Sequence, residues 1–142
     1  NVAACIAGLA DGTLDAIATD HAPHHEDEKN VEFARAPFGV VGLETAVPLA
    51  LDRLVAGGVI GLARMIELFS VGPARILGVP GGRLAPALPA DITILDLRRE
   101  YVVEAQRFHS KGRNTPFEGW KLKGSVAATL VGGEIVHDAL TS

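Results

Sequence analysis

Three imidazoles and a carboxylate stand together at Asp20-His21-Ala22-Pro23-His24-His25. A carboxylate can ligate a divalent metal and can also carry a proton. In metal hydrolases one oxygen touches the metal while the other takes a proton from bound water, whose pKa the metal lowers toward about 7. Asp20 is therefore the leading catalytic candidate, against the plainer reading of an Asp that caps a loop. The three His residues raise the question of a metal centre, but tetrahedral zinc needs three or four ligands at workable spacing. The sequence has no His-x-His and no His-Glu-x-x-His, and its remaining imidazoles, His109 and His137, lie far downstream. His24, four residues past Asp20 and directly after Pro23, can instead donate to an anionic substrate. His21 and His25 read as loop residues.

Pro37-Phe38-Gly39 is a second, weaker candidate. Gly39 lets a ligand approach the backbone, so Phe38 and Gly39 can present N–H and C=O groups at close range; the alternative is an ordinary turn with a packed Phe. Glu44 opens a helix, where an acid suits the dipole, and reads as structural. The stretch Arg113-Asn114-Thr115-Pro116-Phe117-Glu118-Gly119-Trp120 is dense in functional residue types. It has no adjoining base or nucleophile and reads as a packed surface loop. No Ser/His/Asp order of the hydrolase kind and no Gly-x-x-x-x-Gly-Lys phosphate loop occurs.

The elements that must position these residues follow from periodicity. Residues 1–11 read as a helix stopped by Gly12. Residues 14–19, Leu-Asp-Ala-Ile-Ala-Thr, read as a short buried strand that ends on Asp20. A carboxylate at the carboxyl end of a buried strand is where α/β barrels keep their chemistry. Residues 21–39 are a long polar loop with one helical turn expected near 27–33; a loop of that length bounded by motif-like residues points to function. Residues 43–55 form a helix with Leu43, Val47, Leu51 and Leu54 on one face, and Pro48 is expected to remove one backbone bond or kink it. Further helices are expected at 62–69 and from Pro73. After the punctuation at Val79-Pro80-Gly81-Gly82, short strands are expected at 92–97 and 101–103. A hairpin at 126–137 then turns on Gly132-Gly133.

The chain of 142 residues is 48% apolar, which suits a globular core. Its formal net charge of −4, with no basic cluster, argues against a nucleic-acid partner. Cys5 is the single cysteine, so no internal disulfide forms and a zinc–thiolate site is not expected. No apolar run is long enough to span a membrane, and no basic n-region marks a secretory signal; a cytoplasmic location is the default expectation. The chain begins Asn1-Val2 without Met, already helix-like, and a strand buried on both faces needs neighbours. The expectation is the C-terminal part of a larger protein.

Thr19-Asp20-His21-Ala22-Pro23-His24, Glu28-Lys29, Ala36-Pro37-Phe38-Gly39 and Gly42-Leu43-Glu44-Thr45-Ala46 together resemble the last barrel strand and following loop of bacterial class I dihydroorotases, of the amidohydrolase superfamily. The run from Ser110-Lys111-Gly112-Arg113 to Trp120, Leu122-Lys123-Gly124, Ser70-Val71-Gly72-Pro73-Ala74-Arg75 and Ala90-Asp91-Ile92-Thr93 extend the resemblance over essentially the whole chain. The resemblance implies an α/β fold. Residues 1–78 would end a metal-dependent (β/α)8 TIM barrel, and residues 79–142 would belong to a small β-sandwich. It implies reversible closure of N-carbamoyl-L-aspartate to L-dihydroorotate in pyrimidine synthesis, with one or two Zn2+ ions. Asp20 would be a metal ligand and the proton shuttle between the metal-activated water and the ring nitrogen. His24 would bind the substrate carboxylate, and Phe38 and Gly39 would add loop contacts. The family's other metal ligands and substrate arginine have no counterpart here, so the remainder of the same enzyme is an implied partner, with a homodimer or an aspartate transcarbamoylase association beside it. Two rival readings remain: a hydantoinase or allantoinase relative, and a non-catalytic dihydroorotase-like scaffold serving aspartate transcarbamoylase.

Overall fold

Asn1 caps the first helix: its side-chain oxygen accepts from the Ala3 N–H at 3.2 Å, satisfying a donor that a helix start leaves free. The structure, a computed structural model, describes residues 1–140. Helix α1 spans Val2–Asp11 and ends where Gly12 turns left-handed. Arg64 then fastens its exit. The guanidinium donates to the carbonyls of Leu9 at 3.2 Å and Leu14 at 2.7 Å while pairing with Glu67 at 2.7 Å.

Residues 14–19 depart from the sequence expectation. They form no strand among the described residues; the Ile17 N–H donates instead to the Leu68 carbonyl at 2.9 Å. The first ladder contact is a single parallel bridge between His21 and Val40. The physical reason is that a strand is made by a neighbouring strand's hydrogen bonds, and the described segments that pack beside 14–19, around Gly42, Leu68 and Gly72, form no strand ladder with it. The path is nonetheless tight. A Cβ on Gly72 would sit 2.3 Å from the Asp15 carbonyl oxygen, so only glycine lets the following helix approach there.

The loop contains helix α2, Glu26–Lys29, and a 3-10 turn at Phe33–Arg35. Helix α3 is Ala46–Ala50, continuing as a π-helical segment over Leu51–Ala56. The helical run continues past Pro48. The helix starts late enough that Pro48 falls in the first turn, where a missing N–H costs nothing. Leu43 accordingly lies outside the helix and is exposed. Helix α4, Leu62–Ile66, a second π-helical segment, Glu67–Val71, and helix α5, Gly72–Leu77, follow.

The rest is a three-stranded antiparallel sheet in the order β1-β2-β3, with β1 at Ile92–Val102, β2 at Lys121–Val131 and β3 at Glu134–Asp138. The two short strands expected at 92–97 and 101–103 are one strand interrupted by a bulge. Asp96 pairs with Ser125 and Glu100 with Lys123, which leaves residues 97–99 opposite Gly124 alone. The Asp96 carboxylate holds the bulge by accepting the N–H groups of Arg98 and Arg99. Gly132 and Gly133, both at positive φ, make the tight turn that their pairing demands.

Two buried clusters join helices to sheet. Leu51, Met65 and Leu68 centre one; Val41, Val103, Phe108 and Leu122 form the other. At the junction, Gly124 stands at φ 96° with its missing Cβ 2.9 Å from the Leu51 side chain, and the Lys123 N–H donates to Asp52 at 2.9 Å. Gly124→Ala combines a left-handed backbone penalty with overpacking. It is expected to lower unfolding free energy by about 2–4 kcal/mol, read as a drop in the urea midpoint at unchanged slope.

Candidate active site

Asp20 has φ 47°, left-handed for a residue that is not glycine. Asp tolerates that region better than most residues, though the conformation still costs on the order of 1 kcal/mol and persists only where its surroundings enforce it. Those surroundings are the bridge at His21 and the Ala22 N–H donating to the Val40 carbonyl at 2.9 Å. The Asp20 side chain is exposed, and among the described residues no hydrogen bond or ion pair reaches it. Its carboxylate is therefore free for a ligand.

The imidazoles divide into different tasks. His21 Nδ1 accepts the Gly42 N–H at 3.1 Å, so that nitrogen carries no proton and the hydrogen of the neutral ring sits on Nε2. His25 caps α2, its Nδ1 accepting the Asp27 N–H at 3.2 Å while Glu28 closes the capping box. This is a structural job that the His-rich spelling did not disclose. His24 is enclosed by acceptors, with Nδ1 3.2 Å from Glu28 Oε2 and Nε2 2.9 Å from the Phe38 carbonyl. The bond from His24 holds the Glu28 carboxyl below its usual range, helped by the His25 N–H.

Phe38 projects into solvent with 98% of its surface exposed. Gly39, at φ 114°, would place a Cβ 2.5 Å from that of Ala22. The glycine is thus required by the loop's own closure on the Asp20 turn, whatever a ligand does there. Lys29 clasps the same stretch, donating to the carbonyls of Pro37 at 2.7 Å and Gly39 at 2.8 Å.

The residue that sequence reasoning passed over is Asn114. Its Oδ1 accepts the His24 N–H at 3.1 Å, and its Nδ2 donates to the carbonyls of Ala22 at 2.9 Å and Gly39 at 3.2 Å. Its own carbonyl accepts the Val41 N–H at 3.1 Å. A carboxamide is the side chain that can accept and donate in this combination, but its partners lie as far as 92 residues away in sequence. The rest of the 113–120 run packs as expected: Phe117 and Trp120 meet edge to face at 5.2 Å, and Glu118 accepts the Ala105 N–H at 2.7 Å.

Glu44 ties the same two regions. One oxygen accepts both the N–H and the hydroxyl of Ser110, at 2.8 and 2.6 Å, while the other is buried without a partner. Burial pushes this carboxyl up. The Ser110 bonds, a bond from its own N–H and nearby His21 outweigh burial and leave it below the ordinary value of 4.5.

Among the described residues, no three His, Cys, Asp or Glu side chains stand close enough to hold a metal ion. Asp20 fits as one ligand, not as a coordination set. Two clefts of about 540 and 550 Å³ flank the sheet; Asp20, His24, Phe38 and Gly39 line neither.

Residues 1–136 match the amidohydrolase family, and the chain belongs to it. The dihydroorotase of Pelotomaculum thermopropionicum is 56% identical over 136 residues, and that of Acetivibrio thermocellus 53% over 136. Each match takes in 96% of this chain, which spans 32% of either relative's length. Among solved structures, an L-hydantoinase (dihydropyrimidinase) from Arthrobacter aurescens superposes with a TM-score of 0.89 at 31% identity, over 95% of this chain and 31% of that one. A dihydropyrimidinase from Brevibacillus agri, at 24% identity and TM-score 0.88, shares the fold over 96% of this chain and 31% of its own.

Because folding favours ionised Glu44, its contribution is full above pH 4.5 and is lost as pH falls through the lower folded-state pKa. Glu44→Gln, which cannot ionise, is therefore expected to trail the wild type in stability most above that pH. The gap closes with acidification, as read from urea midpoints between pH 3 and 7.

Proposed function

We propose that this chain is the C-terminal portion of a cytoplasmic, zinc-dependent dihydroorotase. In this reading residues 1–78 end a (β/α)8 barrel and residues 79–142 belong to a small β-sandwich. The observation that carries the choice of reaction is identity above 50% with dihydroorotases across 96% of the chain, against 31% for the L-hydantoinase. Supporting it are the unpaired carboxylate of Asp20 in its enforced left-handed turn and the exposed apolar faces of α1 and α5. Val2, Ile6, Ile76 and Leu77 on those faces suit packing against further barrel segments.

The substrate is N-carbamoyl-L-aspartate or, in reverse, L-dihydroorotate. A bound metal supplies Lewis-acid polarisation of the reacting carboxyl group. Ring closure joins the ureido nitrogen to the side-chain carboxyl carbon and releases water. Asp20, which would also be one ligand of that metal, takes the proton from that nitrogen and delivers it to the departing oxygen. In ring opening it returns a proton to the same nitrogen. His24 binds the substrate's free carboxylate by exchanging the Phe38 carbonyl for a stronger, charged acceptor. Phe38 and Gly39 add loop contacts to the substrate. A homodimer, or association with aspartate transcarbamoylase, belongs to the same reading.

Asp20→Ala in the complete enzyme is expected to lower ring closure by about 10²–10⁴-fold, measured with N-carbamoyl-L-aspartate. Turnover near the wild-type rate would remove Asp20 from this role. Assaying the unaltered enzyme on dihydroorotate, hydantoin and allantoin separates the proposal from its hydantoinase rival, since only the first ring should open efficiently. Inertness toward all three would favour the scaffold reading.

A further inference from the structure

We infer that Asn114 is a positioning residue for substrate binding: its carboxamide fixes the turn carrying His24 to the segment carrying Phe38 and Gly39. This rests on the dihydroorotase reading given above. The three side-chain bonds of Asn114 form one bracket. Two of them, to the N–H of His24 and the carbonyl of Ala22, hold the turn directly after Asp20. The third, to the carbonyl of Gly39, holds the returning end of the loop. These two strands of backbone also meet through the Ala22–Val40 bond, the His21–Val40 bridge, the Gly42 N–H to the His21 ring and the His24 ring to the Phe38 carbonyl, but only Asn114 ties both from a third segment.

Asn114 is itself set from below. The Val41 N–H donates to its carbonyl, and Val41 is fully buried. Gly112 brings it close: a Cβ there would lie 2.8 Å from both Asn114 Oδ1 and the Pro23 Cβ. The carboxamide therefore has little freedom, and every one of its side-chain bonds ends on the backbone around the proposed substrate contacts. Asp20 is not among its partners. Loss of the bracket should loosen His24 and Phe38-Gly39 while leaving the proton shuttle intact, so substrate binding suffers more than turnover.

The test uses the complete enzyme. Asn114→Ala is expected to raise KM for dihydroorotate about tenfold with kcat within about threefold of wild type, a pattern that a general loss of folded enzyme does not produce. Asn114→Asp keeps the acceptor for His24 but turns a negative oxygen on two carbonyls, so its KM should rise further. Gly112→Ala leaves the carboxamide chemically intact but displaces it, and should raise KM in the same direction. Limited tryptic cleavage after Arg35, in the same loop, should quicken by about threefold or more in Asn114→Ala, an opening read without the reaction. An unchanged KM, or a fall in kcat as large as the rise in KM, overturns the inference. If wild-type enzyme does not open dihydroorotate, the assigned reaction fails, and the bracket is decided by the Arg35 cleavage alone: faster cleavage upholds it and an unchanged rate overturns it.

Discussion

Val41 is fully buried among Val103, Phe108 and Leu122, and the geometry around Asp20 depends on that seating. Burying a valine side chain is worth roughly 1.5–3 kcal/mol, enough to hold one register of a loop that has little regular structure of its own. From Val41 the ordering spreads both ways. Its N–H reaches Asn114, its neighbour Val40 pairs with His21 and Ala22, and Gly42 donates to the His21 ring. The segment that ends the chain thereby holds the segment that begins it. Glu44 and Ser110 repeat the tie a few residues further along.

This arrangement leaves a contrast within one short stretch. His24 meets protein partners through both ring nitrogens and His25 through Nδ1, whereas the Asp20 carboxylate has none among the described residues. A carboxylate left exposed at the tip of an enforced turn has room for an external partner. A polar side chain saturated by its own loop is poised for exchange. A carboxylate can in general serve metal and proton chemistry, and an imidazole can donate to an anion. Neither Asp20 nor His24 lines one of the two clefts that flank the sheet.

Helical periodicity, glycine stops and the Gly-Gly hairpin were legible because each is a local property of a few neighbouring residues. The helix at residues 1–11, the turn at Gly132-Gly133 and the change from helix to strand near residue 80 follow from spacing alone. The segment 14–19 failed as a strand because strand formation is a relation between segments, and its apolar spelling says only that it is buried or paired somewhere. The cost of Pro48 was not legible because it depends on where the helix begins, and that helix begins at Ala46, two residues before the proline.

The sequence by itself determined the family, and it singled out Asp20 and the following loop as candidates. Those rest on residue identities, and Asp20, His24, Phe38 and Gly39 keep their chemistry wherever the chain takes them. Only the tertiary structure decided that His25 is a cap, that Gly39 is demanded by Ala22, that Glu44 holds Ser110, and that Asn114 brackets the site. Each of these is a hydrogen bond or a close approach, most of them between residues far apart in the chain. No residue type announces its partner when the partner is a backbone group that every residue carries.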